Sequence, residues 1–224
     1  MVIASVFGLI ICAALVIGDW YQFTSLQSWA TRYGCGIARR RDTLPISSDR
    51  LTAVFGPYGV LSLPHGIARW FPAQGRIVIR PSYRLFSLRF RTAWPLKGTV
   101  DVIPNAQGLT LHMTKRIPWT SAILTILWLG IVAGGTMVFL VMYGLDGGFQ
   151  SARGALLALG IVAVGLLVLG FGLILLSLAY RLEDHRLMEV YYELQATVTD
   201  PCSPVIPSIS NETPMRNIVP LQQS

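Results

Sequence analysis

Charge is what this sequence is short of. Of its 224 residues only 13% are Asp, Glu, Lys or Arg, about half the share of a soluble domain. The deficit is concentrated: residues 2–17, 119–143 and 154–180 contain no Asp, Glu, Lys, Arg or His. Cysteine is scarce too. Cys12, Cys35 and Cys202 have neither CxxC nor metal-site spacing, so no disulfide framework and no zinc site is expected. Only three histidines occur, and none lies within an uncharged run. That excludes a His pair holding haem between helices. It also argues against a transporter or proton relay, which needs ionisable groups at membrane depth. Phosphate loops, dinucleotide fingerprints, nucleophile elbows and HExxH are missing as well, and no cofactor is expected.

What is present are apolar runs of membrane length. A helix needs roughly 20 residues to cross about 30 Å of hydrocarbon, and the second and third runs exceed that. Trp119 and Tyr143 bracket the second run, and Tyr180 closes the third just before Arg181. Aromatic and basic residues at those points suit a membrane interface. The first run is shorter, but no basic n-region precedes it, so it reads as a permanent helix and not a signal peptide. The expected fold is therefore an α+β membrane protein: three transmembrane helices, with a small antiparallel β-rich domain inserted between the first and second. The expected order is helix 1 over 1–18, a connector over 19–50, the basic β-rich domain over 51–117 and helix 2 over 118–143. A loop over 144–153, helix 3 over 154–180, an amphipathic helix over 181–198 and a Pro-rich extended tail over 199–224 complete it.

Periodicity fills in these segments. Trp20, Phe23 and Leu26 suggest an interfacial helix inside the connector. From Leu51 the texture is β-like. Leu51–Phe55 and Tyr58–Leu63 flank a Gly56-Pro57 turn, and Arg76–Arg80, Leu85–Phe90, Thr99–Ile103 and Leu109–Thr114 follow. Leu109, Leu111 and Met113 alternate with Thr110, His112 and Thr114, as in a half-buried antiparallel strand. Seventy residues barely make a core, so the domain is expected to lean on something else. After Tyr180, Leu187, Val190, Tyr191 and Leu194 form an i, i+3, i+4, i+7 stripe.

Residues 19–117 hold fourteen of the eighteen Lys and Arg against four acids. With Arg32 and Arg39–Arg41 after helix 1, Lys115 and Arg116 before helix 2, and Arg181 and Arg186 after helix 3, the positive-inside rule gives one topology. The N-terminus is outside, and the β-rich domain and C-terminus are cytoplasmic, in a membrane such as the bacterial inner membrane. Gly130 and Gly134 form a GxxxG, while Ala158, Gly165, Gly172 and Ala179 recur every seven residues. Small residues at such spacing let helices approach closely. In the β-rich domain Arg76, Arg80, Arg84, Arg89, Arg91 and Lys97 are interleaved with aromatics. Beside a membrane, anionic lipid headgroups or an acidic protein face are the nearer partners, and nucleic acid is not expected.

Three functions compete on these grounds. The first is a non-catalytic accessory subunit packed against other membrane protein subunits, of the kind found in respiratory or photosynthetic assemblies. The second is a membrane-tethered binding module, PH-like in architecture, for anionic lipid or a protein. The third is an interfacial enzyme acting on lipid around His65, His112 and Asp101.

Overall fold

The computed structural model describes residues 2–82, 94–106 and 108–200, with side chains from residue 5. Helix α1 (Val2–Thr24) leads through an irregular connector into strand β1 (Cys35–Leu44) and a short helix α2 (Ser48–Phe55). Strands β2 (Val60–Ser62), β3 (Gly66–Phe71), β4 (Arg76–Pro81), β5 (Lys97–Asn105) and β6 (Gly108–Ile117) follow. Helices α3 (Trp119–Leu145) and α4 (Ala152–Thr199) end the described chain. The fold is α+β. By length and composition α1, α3 and α4 are long and apolar enough to cross a membrane. The expected strand Leu85–Phe90 and the Pro-rich tail beyond Asp200 lie outside the described residues.

The six strands form one antiparallel sheet in the order β1-β6-β5-β4-β3-β2. Strands β2 to β6 make a meander. The ladder of the β5–β6 hairpin runs on to the pair Asn105↔Gly108. Gly108 has φ +133 and sits where a Cβ would lie 2.2 Å from the Leu44 carbonyl. Glycine is required there both for backbone conformation and for space.

Three elements differ from the sequence reading. Residues 35–44, expected as connector, form β1, which pairs with β6 along the sheet edge. Four consecutive charges (Arg39 to Asp42) resemble a solvated loop. At period two, however, they divide: Arg40 and Asp42 turn toward α4, where Tyr191 donates to Asp42 at 2.8 Å and Arg40 donates to Tyr192 at 2.8 Å. Arg39 and Arg41 take the other face. Residues 51–55, expected as a strand, belong to α2. Ser47 caps that helix by accepting from Arg50 N, Asp49 lies in its first turn, and Leu51 and Phe55 are buried one turn apart. The expected interfacial helix is likewise replaced: α1 runs on to Thr24, and the chain then makes only a single 3-10 turn at Ser28–Ala30.

What the small sheet leans on is the same chain. α4 is continuous for 48 residues, roughly 70 Å at 1.5 Å per residue. Its last third closes the core over the sheet. Leu187, Val190, Tyr191 and Leu194 are each at most 1% exposed and cluster with Ile77, Ile79, Val100, Leu109, Leu111 and Met113. Each such burial contributes about 1.5–3 kcal/mol. Lys115 pairs with Asp184 at the base of this contact.

The four small residues at heptad spacing in α4 face inward in part. A Cβ on Gly165 would lie 2.7 Å from the Thr136 hydroxyl and one on Gly172 2.3 Å from the Trp128 ring. Ala158 and Ala179 are buried. Gly130 and Gly134 of α3 have nothing within 4 Å of a built Cβ, so their faces are open within the described residues.

Candidate anion-binding groove

The sheet face away from α4 is divided in two. Over β4 and β5 lies the connector that follows α1, a segment with almost no backbone ladder of its own. Ala30 and Thr31 within it are buried, so their carbonyls require donors. The sheet supplies these, and donors to the carbonyls of Thr24 and Leu26, through polar and long basic side chains. Lys97 Nζ donates to Ala30 O at 2.8 Å, Arg80 Nη1 to Thr24 O at 2.5 Å and Arg69 Nη1 to Leu26 O at 3.0 Å. Thr99 donates to Thr31 O at 2.7 Å, and Arg76 Nη1 to the Thr31 hydroxyl at 2.9 Å. Lys97 is completely buried, with its ammonium 4.8 Å from the centroid of Phe23. Burial first, then the nearby Arg116 and Arg80 charges, push its pKa down to about 8.

This geometry revises the binding set expected from the sequence. Arg76 and Lys97 are buried and serve as internal donors, and Arg80 holds the end of α1. Arg84, Arg89 and Arg91 lie outside the described residues. The helix-packing set is placed as described above, with Ala158, Gly165, Gly172 and Ala179 set inward and Gly130 and Gly134 open.

Over β1 and β6 the same face is uncovered and forms a groove of about 800 Å³. Register sets its lining: Arg39 is opposite Thr114 and Arg41 opposite His112, while Asp101 of β5 is opposite His112 on its other side. Arg32, at the end of the connector, and Arg116, near the end of β6, complete it. Asp101 is the one acid in the lining, and it is already shared. It accepts from Arg76 Nε at 2.6 Å and lies 3.8 Å from Arg32. Arg116 donates to Gly34 O at 2.9 Å, and its Nε has no partner among the described residues. Burial, then Arg32, lowers the Arg116 pKa, while Asp101 partly offsets this. Arg39 and Arg41 are exposed and have no carboxylate within ion-pair distance among the described residues. The groove therefore carries an excess of positive charge that its own acid does not neutralise. An anion with several acceptor oxygens fits it, since guanidinium forks bind carboxylate and phosphate in two-pronged fashion.

The three groups considered for catalysis do not converge. His65, in the turn before β3, binds Glu193 of α4 through its ring and its backbone N–H, on the helix side of the sheet. His112 and Asp101 face the groove on the opposite side. Among the described residues no three His, Cys, Asp or Glu side chains form a metal-ion cluster.

Arg39 and Arg41, central to the groove, entered the sequence reading only as topology signals. Their spacing of two, matched by Thr110, His112, Thr114 and Arg116 on β6, is the pattern that places them on one face. No protein-family model matches the chain, and neither the curated proteins nor the solved structures contain a match to it.

Proposed function

We propose that this chain is a non-catalytic accessory subunit of a larger bacterial inner-membrane complex, holding an acidic segment of a neighbouring subunit in the arginine groove. In this reading α1, α3 and α4 span the bilayer. The N-terminus is outside, and the sheet and C-terminus are on the cytoplasmic side, where the basic flanks belong. The supporting observation is the groove's uncompensated charge: Arg39 and Arg41 stand exposed on a fixed sheet edge, beside a single acid shared by Arg32 and Arg76. The open faces at Gly130 and Gly134 suit close approach by a foreign helix.

One position favours the binding-module alternative. Arg116 precedes the first residue of α3 by only three positions, so with α3 in the bilayer that end of the groove would lie near the membrane surface. There each basic residue attracts anionic headgroups by about 1 kcal/mol. Extraction from the native membrane in mild detergent, followed by native mass spectrometry, separates the two. Fixed-stoichiometry co-migration that is lost in Arg39→Gln/Arg41→Gln supports the subunit reading. A lone 24.6 kDa species that retains anionic lipid in an Arg39-dependent way replaces it with the lipid-binding module.

A further inference from the structure

Another cavity among the described residues has the opposite chemistry. Asp19, near the end of α1, accepts from both the backbone N and the hydroxyl of Thr120 at 3.0 and 2.6 Å, and Tyr33 donates to its other oxygen at 2.5 Å. α3 has no side-chain cap of its own at Pro118. Asp19 takes that place and pins the two helix ends together. Beyond the pin lies a pocket of about 450 Å³ between α1, α3 and α4. Its size falls within the range of ligand sites, roughly 300–1,000 Å³. Trp20 comes from α1, Trp128 from α3, and Trp94 from the segment leading into β5. Gly172 gives Trp128 its seat, since any Cβ there would overlap the ring.

The hydroxyls of the lining, and the indole N–H of Trp94, are already engaged. Thr125 Oγ1 accepts from Trp94 Nε1 at 2.8 Å and donates to Ser121 O at 2.7 Å. The Thr120 hydroxyl is committed to Asp19, and Ser121 is buried and engaged. A ligand rich in hydrogen-bonding groups finds no free hydroxyl or charge in this lining, only the indole N–H groups of Trp20 and Trp128, whereas an alkyl surface meets indole faces and leucines throughout. If the three helices span a bilayer, as the proposed function takes them to, the medium at the pocket is hydrocarbon.

We infer that this pocket holds one long hydrocarbon chain of a membrane lipid, acyl or prenyl, bound between Trp20, Trp94 and Trp128. The chain fills space that neither water nor the protein occupies well, because voids too small or too dry for water forfeit dispersion contacts. The headgroup plays no part in recognition at this site.

The test uses the full chain in its native membrane, labelled separately with a phospholipid and with a prenyl alcohol, each carrying a photoactivatable diazirine on the hydrocarbon. Peptide mass spectrometry then maps the adducts. The expected result is several-fold enrichment, from at least one probe, at Leu124, Trp128 and Leu175 over the outward-facing Ile126 and Leu167, although those two are 69% and 71% exposed. Leu124→Trp fills the pocket and should abolish the enrichment while leaving labelling at Ile126 and Leu167 unchanged. If that variant does not accumulate, Leu176→Phe fills the space from the α4 side. Label distributed in proportion to exposure for both probes, or enrichment that survives filling, overturns the site. Absence of label at Ile126 and Leu167 would instead overturn membrane insertion, so the two failures are distinguishable.

Discussion

Lys97→Met perturbs the buried ammonium that ties the α1 connector to the sheet. In the folded protein the pKa of Lys97 is pushed from 10.5 to about 8 by burial and by the Arg116 and Arg80 charges. At 1.36 kcal/mol per factor of ten, that corresponds to about 3 kcal/mol against holding the charge. The folded pKa lies below the unfolded one, so at pH 7 both states are protonated and the full penalty is present. Between pH 8 and 10.5 the unfolded chain binds the extra proton, and stability rises with pH. From pH 7 to 9.5 the native protein should gain about 2 kcal/mol from this position. For a chain of this size that is about 4–8 °C in Tm. Methionine removes the penalty but also the charged hydrogen bond to Ala30 O, worth about 1.5–3 kcal/mol, and leaves that carbonyl only the Tyr33 N–H at 3.2 Å. At pH 7 the variant should therefore melt close to wild type. Its stability should lack the wild-type rise, so of the two Tm curves, measured by near-UV circular dichroism in one detergent, the wild-type curve should climb about 4–8 °C relative to the variant by pH 9.5. Stopping there stays below the Tyr33 hydroxyl, whose pKa is raised to about 12 by its hydrogen bond to Asp19. Parallel curves for the two proteins would refute the account of Lys97 as a penalised internal donor.

Arg39→Gln/Arg41→Gln should leave Tm unchanged, because neither side chain has an ion-pair partner among the described residues, yet weaken partner capture. The residual wild-type capture should fall with added salt, as screening requires, and salt-independent capture would argue against the groove. Gly66→Ala places a Cβ 2.5 Å from the Arg80 carbonyl and 2.6 Å from a Val190 methyl. Since backbone cannot move as a side-chain tip can, about 1–3 kcal/mol of destabilisation is expected in a thermal melt. Asp42→Ala strips an acceptor from the Tyr191 hydroxyl and from Arg40, and should cost about 1–3 kcal/mol by the same assay. Asp42→Asn, which keeps an acceptor, should cost less.

The long apolar helices were legible because length and lack of charge identify them without tertiary information. The β6 face was legible because Leu109, Leu111 and Met113 are strictly alternate and all three are buried. β1 was hidden by composition: its charges satisfy two environments, one lined by the α4 tyrosines and one open. α2 was hidden by brevity, although Ser47 and Asp49 carried its start signal. The internal roles of Arg76 and Lys97 were hidden for a different reason. Sequence shows that Arg76 and Lys97 are basic, but which carbonyls they serve depends on the path of residues 24–31, where the spacing of Trp20, Phe23 and Leu26 suggests a helix and the chain instead makes one 3-10 turn. The groove itself needed the β1–β6 register, a long-range pairing that local pattern does not encode.

The unbroken helix α4 makes the sheet and the apolar helices share one angular phase. Each residue of an α-helix turns its successor by about 100°, and nothing between Tyr180 and Leu187 interrupts that count. A single residue inserted near Arg181 would swing the Leu187–Leu194 stripe a quarter turn off the sheet, whereas seven would bring it back to within about 20°. Conversely, any rotation of α4 about its axis, imposed where Gly165 and Gly172 meet α3, arrives undiminished beneath the sheet, like torque along a drive shaft.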